Sequence, residues 1–245
     1  PLIVWPEAAA PFVYSEEPRW QKRLAEIAER AGSYLLFGSL SARRAEGDPR
    51  LYNSAYLLGP DGTSEGRYDK MHLVPFGEYI PLRWLLFFVE KFVPIIGRFG
   101  EGEEARIFDV PGGKFGVLIC FEVIFPRVVR RMAGSGFLVN ITNDAWFGRT
   151  AASEQHLSMA AMRAVELRTP IVRAANTGIS AIIDATGAIR LRSPIFEKWR
   201  WAGVVSPRKA SPTLYARVGD IFALVCFAVM LLMGWLAVVR GHPRL

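Results

Sequence analysis

The sequence predicts a layered α/β domain followed by one membrane-crossing helix. Short apolar runs rich in β-branched and aromatic residues alternate with helical patterns over residues 1–205, the signal of such a domain. Nineteen charge-free residues, Ile221 to Val239, then stand between Asp220 and Arg240. The 245 residues are 51% hydrophobic and 22% charged with a mean hydropathy of +0.19, which excludes disorder, collagen and coiled coil.

The elements follow in chain order. Leu2, Ile3, Val4 and Trp5 predict a strand over 2–5. No basic n-region or cleavage site precedes it, so it is not a signal peptide, and a strand opening at the second residue is expected of a fragment or a processed chain. Trp20, Leu24, Ile27 and Ala31 recur at helical spacing and predict a helix over 18–31. Strands are expected over 34–38 and 52–58, and Pro60-Asp61-Gly62 reads as a hairpin turn. The segment Trp84 to Ile96 is strongly apolar, but Glu90, Lys91 and Pro94 break it too often for it to span a bilayer. An arm dipping into a bilayer surface and ordinary core packing are both open readings of it.

Further strands are expected over 106–109, 115–120, 137–142, 171–175 and 179–183, with a turn at Asp184-Ala185-Thr186-Gly187. Leu157, Ala161, Ala164 and Val165 predict a helix over 154–167. Residues 206–219 form a juxtamembrane linker, 220–240 a membrane helix apolar on every face, and 241–245 a tail. Arg208, Lys209 and Arg217 on one side against Arg240 and Arg244 on the other nearly balance the positive-inside rule. Folded domains cross membranes largely regardless of charge, whereas a short basic tail is easily retained, so the tail is expected in the cytoplasm and the domain on the outer side.

The net charge of +7 is compatible with nucleic acid or an anionic lipid surface. The basic residues are scattered and no recognition motif occurs, which disfavours nucleic acid. Cys120 and Cys226 lie far apart, without the clustered spacing of a disulfide scaffold or a zinc site. Cys226 falls within the membrane helix, where a thiol acts as a small apolar side chain.

The chemistry concentrates elsewhere. Gly116 to Ile119 reads as a buried strand ending on Cys120, where a thiol faces a crevice and the following backbone N–H groups can meet an oxyanion. His72, His156 and His242 form no Cys-His signature, so a histidine-based site is disfavoured. Trp5-Pro6-Glu7 and the stretch Tyr68 to Glu78 hold ionisable groups in apolar frames. A buried carboxylate can serve a thiol as general base, and a nearby lysine supplies fixed positive charge for a tetrahedral intermediate.

Taken together, Trp-Pro-Glu, then Lys70 with Pro75-Phe76-Gly77-Glu78, then Cys120-Phe121-Glu122, then Asn143 to Gly148, resemble the nitrilase superfamily, or carbon-nitrogen hydrolases. More narrowly, the run 75–81, the stretches 162–167 and 173–178 and the terminal helix resemble the apolipoprotein N-acyltransferases. The resemblance implies an αββα sandwich and a Glu-Lys-Cys triad: Glu7 as base, Lys70 for the oxyanion, Cys120 as nucleophile. It implies that Glu78 supports the lysine, that Phe121 and Glu122 flank the nucleophile, with Phe121 where some relatives carry Tyr, and that Trp146 lies near the substrate pocket. It implies a monomer without metal or cofactor, a phospholipid acyl donor, a diacylglyceryl-lipoprotein acceptor and a place in the bacterial inner membrane. The family carries a bundle of membrane helices ahead of this domain. The alternatives are a membrane-tethered amidase or carbamoylase with water as acceptor, and a silent anchoring domain.

Overall fold

The computed structural model describes residues 1–45, 48–80, 99–209 and 211–240, without the side chains of 44–45, 48–49 and 239–240. Two sheets form. The first contains β1 (Leu2–Val4), β3 (Tyr34–Ala45), β4 (Asp48–Leu58) and β5 (Ser64–Asp69) in that order, with β2 (Ala10–Val13) also paired to β3. The second runs β11 (Ile189–Arg192), β10 (Ala181–Ile183), β9 (Ile171–Asn176), β8 (Phe137–Asn143), β7 (Gly113–Ile119), β6 (Ile107–Val110). Strands β7, β8 and β9 are parallel neighbours, and β8 is buried along nearly its whole length, as expected of a central strand covered on both faces.

Period-two alternation decides how the layers stack. In β3, Leu35 and Phe37 point outward and pack with Leu24 and Ala28 of α1 (Pro18–Ala31), while Leu36 points inward to the cluster holding Val117, Ile119 and Ile141. Pro18 starts α1 at a position where its missing N–H costs nothing, and Gly32 ends it in the left-handed conformation at φ 55°. On the far side Leu157, Ala160, Ala164 and Leu167 of α3 (Ala152–Leu167) close the same core. The result is helix, sheet, sheet, helix: the αββα sandwich.

Three strands escaped the sequence reading, β2, β5 and β11. All lie at sheet margins, where one face meets water and the apolar run that signals a strand is not needed. Both expected turns connect hairpins, Pro60-Asp61-Gly62 between β4 and β5 and residues 184–187 between β10 and β11.

Past β11 and the short α2 (Pro126–Arg130), Arg208 and residues 213–217 are bound to the domain. The Arg208 guanidinium donates to the Leu167 carbonyl at 3.0 Å, and Thr213 Oγ1 donates to the Glu166 carbonyl at 2.6 Å. Arg130 donates to the carbonyls of Ala216 and Arg217, at 3.3 and 3.2 Å, both within α4 (Leu214–Val218). From there α5 (Ile221–Arg240) projects. Its stretch Ile221–Val238 has a mean hydropathy of 2.7 with none of it buried in the protein, and among the described residues it is the one helix long and apolar enough to cross a membrane. The apolar segment 84–96 and the tail 241–245 fall outside the described residues.

Candidate active site

Glu7 is set by the close approach of two backbones. Trp5 N–H donates to the Leu36 carbonyl at 2.8 Å and Gly38 N–H to the Pro6 carbonyl at 3.3 Å. A Cβ at Gly38 would lie 2.7 Å from both the Ala8 nitrogen and the Glu7 Cα, so only glycine fits there. The Glu7 carboxylate is buried and accepts from Asn53 Nδ2 at 2.7 Å and from the Asn143 backbone N–H at 2.7 Å.

Lys70 follows β5 directly and is 1% exposed. Its Nζ lies 2.9 Å from each oxygen of Glu78 and 4.0 Å from Glu7 Oε1. Glu78 is brought back over the lysine by a tight turn, in which Phe76 takes φ 60° and donates to the Tyr79 carbonyl at 2.8 Å; Val74 N–H then donates to Glu78 Oε2 at 2.8 Å. Asn53 Nδ2 also reaches Glu78, at 3.0 Å, joining the two carboxylates.

Cys120 directly follows β7 at φ 54°, a left-handed conformation uncommon outside glycine that turns the chain sharply from strand into a short helical turn. Its thiol faces Glu7, Lys70 and Thr142. Burial, with the Glu7 charge adding to it and Lys70 opposing, pushes the Cys120 pKa up to about 12, so the resting sulfur keeps its proton. Burial also raises Glu7, against the lowering by Lys70 and Asn53. For Lys70 burial works downward, but its anionic partners, in the resting site the Glu7 and Glu78 carboxylates, outweigh it and hold the ammonium above its ordinary value. A protonated thiol, a carboxylate with raised proton affinity and a fixed ammonium thus meet in one place. This arrangement can take a proton from sulfur during attack and stabilise the oxyanion that results.

Glu122 has a different place from the substrate side. Fully buried, it accepts from Tyr68 Oη at 2.9 Å, from the N–H groups of Met71 and His72 at 2.7 and 3.0 Å, and from Ile119 N–H at 2.8 Å. It therefore ties the lysine loop to the end of the cysteine strand. The Phe121 ring stands against Phe125 at 5.6 Å and His156 at 6.1 Å between centroids. Trp146, in the turn Asp144–Phe147, is 86% exposed and is not core.

Asn53, Thr142 and the Asn143 N–H were missed as site groups by the sequence reading. The available signal was a polar residue interrupting a buried strand, as at Asn53 among Tyr52, Ala55 and Tyr56. Among the described residues no group of three or more His, Cys, Asp or Glu is placed to hold a metal ion.

Comparison with known proteins places these features in context. The carbon-nitrogen hydrolase family matches residues 1–198. The apolipoprotein N-acyltransferase of Geobacter metallireducens is 48% identical over 229 residues, covering 93% of this chain and 44% of that protein. That of Bradyrhizobium diazoefficiens is 39% identical over 253 residues, 99% of this chain and 46% of that protein. The chain thus spans about half the length of the curated relatives it matches. Among solved structures, a carbon-nitrogen hydrolase from Helicobacter pylori G27 superposes with a TM-score of 0.61 at 18% identity, over 80% of this chain and 74% of that one. An amidase from Nesterenkonia sp. does so at 0.58 and 18%, over 79% and 73%. At such identity these two show the fold alone.

Proposed function

This chain belongs to the carbon-nitrogen hydrolase family, and from that premise we propose that it carries the catalytic centre of a cysteine-dependent N-acyltransferase. The acyl chain comes from a phospholipid, passes through a Cys120 thioester and ends on the α-amine of an apolipoprotein's diacylglyceryl-cysteine. The observation that carries the reading is the meeting of a buried Glu7, a buried Lys70 and Cys120, with Lys70 Nζ 4.0 Å from Glu7 Oε1. Glu7 takes the thiol proton as Sγ bonds to the ester carbonyl carbon. The oxyanion forms against Lys70 and the Phe121 N–H, and its collapse breaks the ester bond as Glu7 returns the proton to the departing lysophospholipid oxygen. The amine then attacks the thioester, Glu7 removes its extra proton, and the C–S bond breaks to give an amide and the free thiol.

Two further features support acyl transfer over the water-accepting amidase reading. The curated relatives named above are N-acyltransferases, and an unburied apolar helix long enough to cross a membrane supports a site beside lipid. In this reading the domain sits on the outer side of a bacterial cytoplasmic membrane, where exported lipoproteins expose their modified cysteine.

The test is mass spectrometry of the chain incubated with phospholipid vesicles. An acyl adduct on Cys120 is expected, absent from Cys120→Ala and retained by Cys226→Ser. Glu7→Gln and Lys70→Met should each slow its formation by about a hundredfold or more, as loss of a catalytic base or an oxyanion donor does. Acyl transfer at the wild-type rate by Cys120→Ala overturns the proposal.

A further inference from the structure

Behind Cys120 lies a row of buried polar groups that the reaction above does not use. Leu118 of β7, Asn140 of β8 and Arg173 of β9 are partners in register across three adjacent parallel strands. Asn140 is fully buried and Arg173 is 1% exposed. An amide and a guanidinium at the centre of a sheet are costly unless every polar atom is satisfied. Here they are satisfied through one another. Arg173 Nε donates to the Ile179 carbonyl at 3.1 Å, and one Nη donates to Asp144 Oδ2 at 2.9 Å and lies 3.0 Å from His156 Nδ1. The other Nη donates to Asn140 Oδ1. Asp144 in turn accepts from Thr142 Oγ1 at 3.0 Å.

This arrangement fixes the direction of the Asn140 amide. A guanidinium has donors only, so the Asn140 oxygen must face it and the NH2 must face the other way. That NH2 donates to the carbonyls of Leu118 and Cys120, at 3.2 and 3.3 Å. The pairing of β7 with β8 ends at Ile119 and Ile141, so the Cys120 carbonyl lies just past the ladder, at the residue whose φ is 54°. A left-handed non-glycine residue is strained and persists only where its surroundings impose it. We propose that Asn140, oriented by Arg173 and Asp144, is a positioning residue that clamps the backbone on both sides of the bend and thereby aims the Cys120 thiol at Glu7 and Lys70. The inference rests on the reading of Cys120 as nucleophile.

The discriminating variant is Asn140→Asp in the full chain. It keeps an acceptor for Arg173 but turns a carboxylate oxygen, in place of a donor, toward the two carbonyls. The readouts are the thermal melt, the rate of Cys120 alkylation by iodoacetamide resolved by peptide mass spectrometry, and kcat and KM for acyl transfer from vesicles of phosphatidylethanolamine and phosphatidylglycerol. The expected result is a cooperative melt with alkylation and kcat both about a hundredfold lower and KM unchanged, the signature of a displaced reacting atom. Asn140→Ser, which offers Arg173 a hydroxyl but cannot bridge both carbonyls, should behave alike. Alkylation at the wild-type rate in both variants overturns the clamp and leaves the nucleophile assignment standing. Alkylation that is indifferent to Glu7→Gln in an otherwise wild-type chain overturns the triad reading instead. Loss of a cooperative melt in both Asn140 variants also overturns the clamp, since the amide would then be holding the fold and not the thiol.

Discussion

Glu122 accepts hydrogen bonds from four donors yet is walled off from water, and these two facts pull its proton affinity in opposite directions. Burial wins, raising the pKa from 4.5 to about 7. A folded value above the unfolded one means that the stability contribution is fully present below about pH 4.5 and is lost as pH rises through about 7. Glu122→Gln cannot titrate, so the stability difference between wild type and variant should shift against wild type by on the order of 3 kcal/mol between about pH 4 and about pH 8. Urea unfolding of both proteins at the two pH values measures this; a constant difference would show that folding leaves the carboxylate's proton affinity unshifted. Glu122 was placed by its position next to Cys120, but its partners were not legible: Tyr68, Met71 and His72 are some fifty residues away, and only the fold brings them there.

At the scale of elements, strand interiors and helices were readable because burial writes a period into the sequence, and edge strands were not because half their surface answers to water. β5, with the sequence Ser-Glu-Gly-Arg-Tyr-Asp, has no apolar run, yet it delivers Lys70 to the site. Glu7, Lys70 and Cys120 could be named from motifs whose order resembles a known family, whereas Asn53 and Asn140 could not, since a polar residue inside a strand announces neither its direction nor its partner. Gly38 makes the dependence on element spacing testable. The extra Cβ of Gly38→Ala would press on the Glu7 Cα and the Ala8 nitrogen, both 2.7 Å away, and move the carboxylate from its place beside Lys70. Acyl loading of Cys120 should fall by about a hundredfold while far-ultraviolet circular dichroism stays native, as a displacement near 1 Å suffices for such a loss. Full loading by this variant would mean that Glu7 can shift without consequence.

For the whole molecule, the decisive relation is between the sandwich and α5. Under the proposed placement the sandwich lies outside the cytoplasmic membrane, so a reporter that functions only when exported, fused after Leu245, should be silent, and one that functions only in the cytoplasm should be active. The reverse pattern would invert the orientation and remove the lipoprotein acceptor. The bonds from Arg208, Thr213 and Arg130 have a further consequence. They leave little slack between the foot of α5 and the catalytic sandwich, so a membrane-inserted chain would meet its donor by lateral diffusion within one leaflet and not by collision from bulk solution. Tethering of this kind replaces bulk concentration with an effective local one. Turnover should therefore follow the mole fraction of phospholipid in the surface: diluting the donor with detergent at constant total phospholipid should slow Cys120 loading in proportion, whereas adding more micelles of fixed composition, once the chain is fully bound, should leave the rate unchanged.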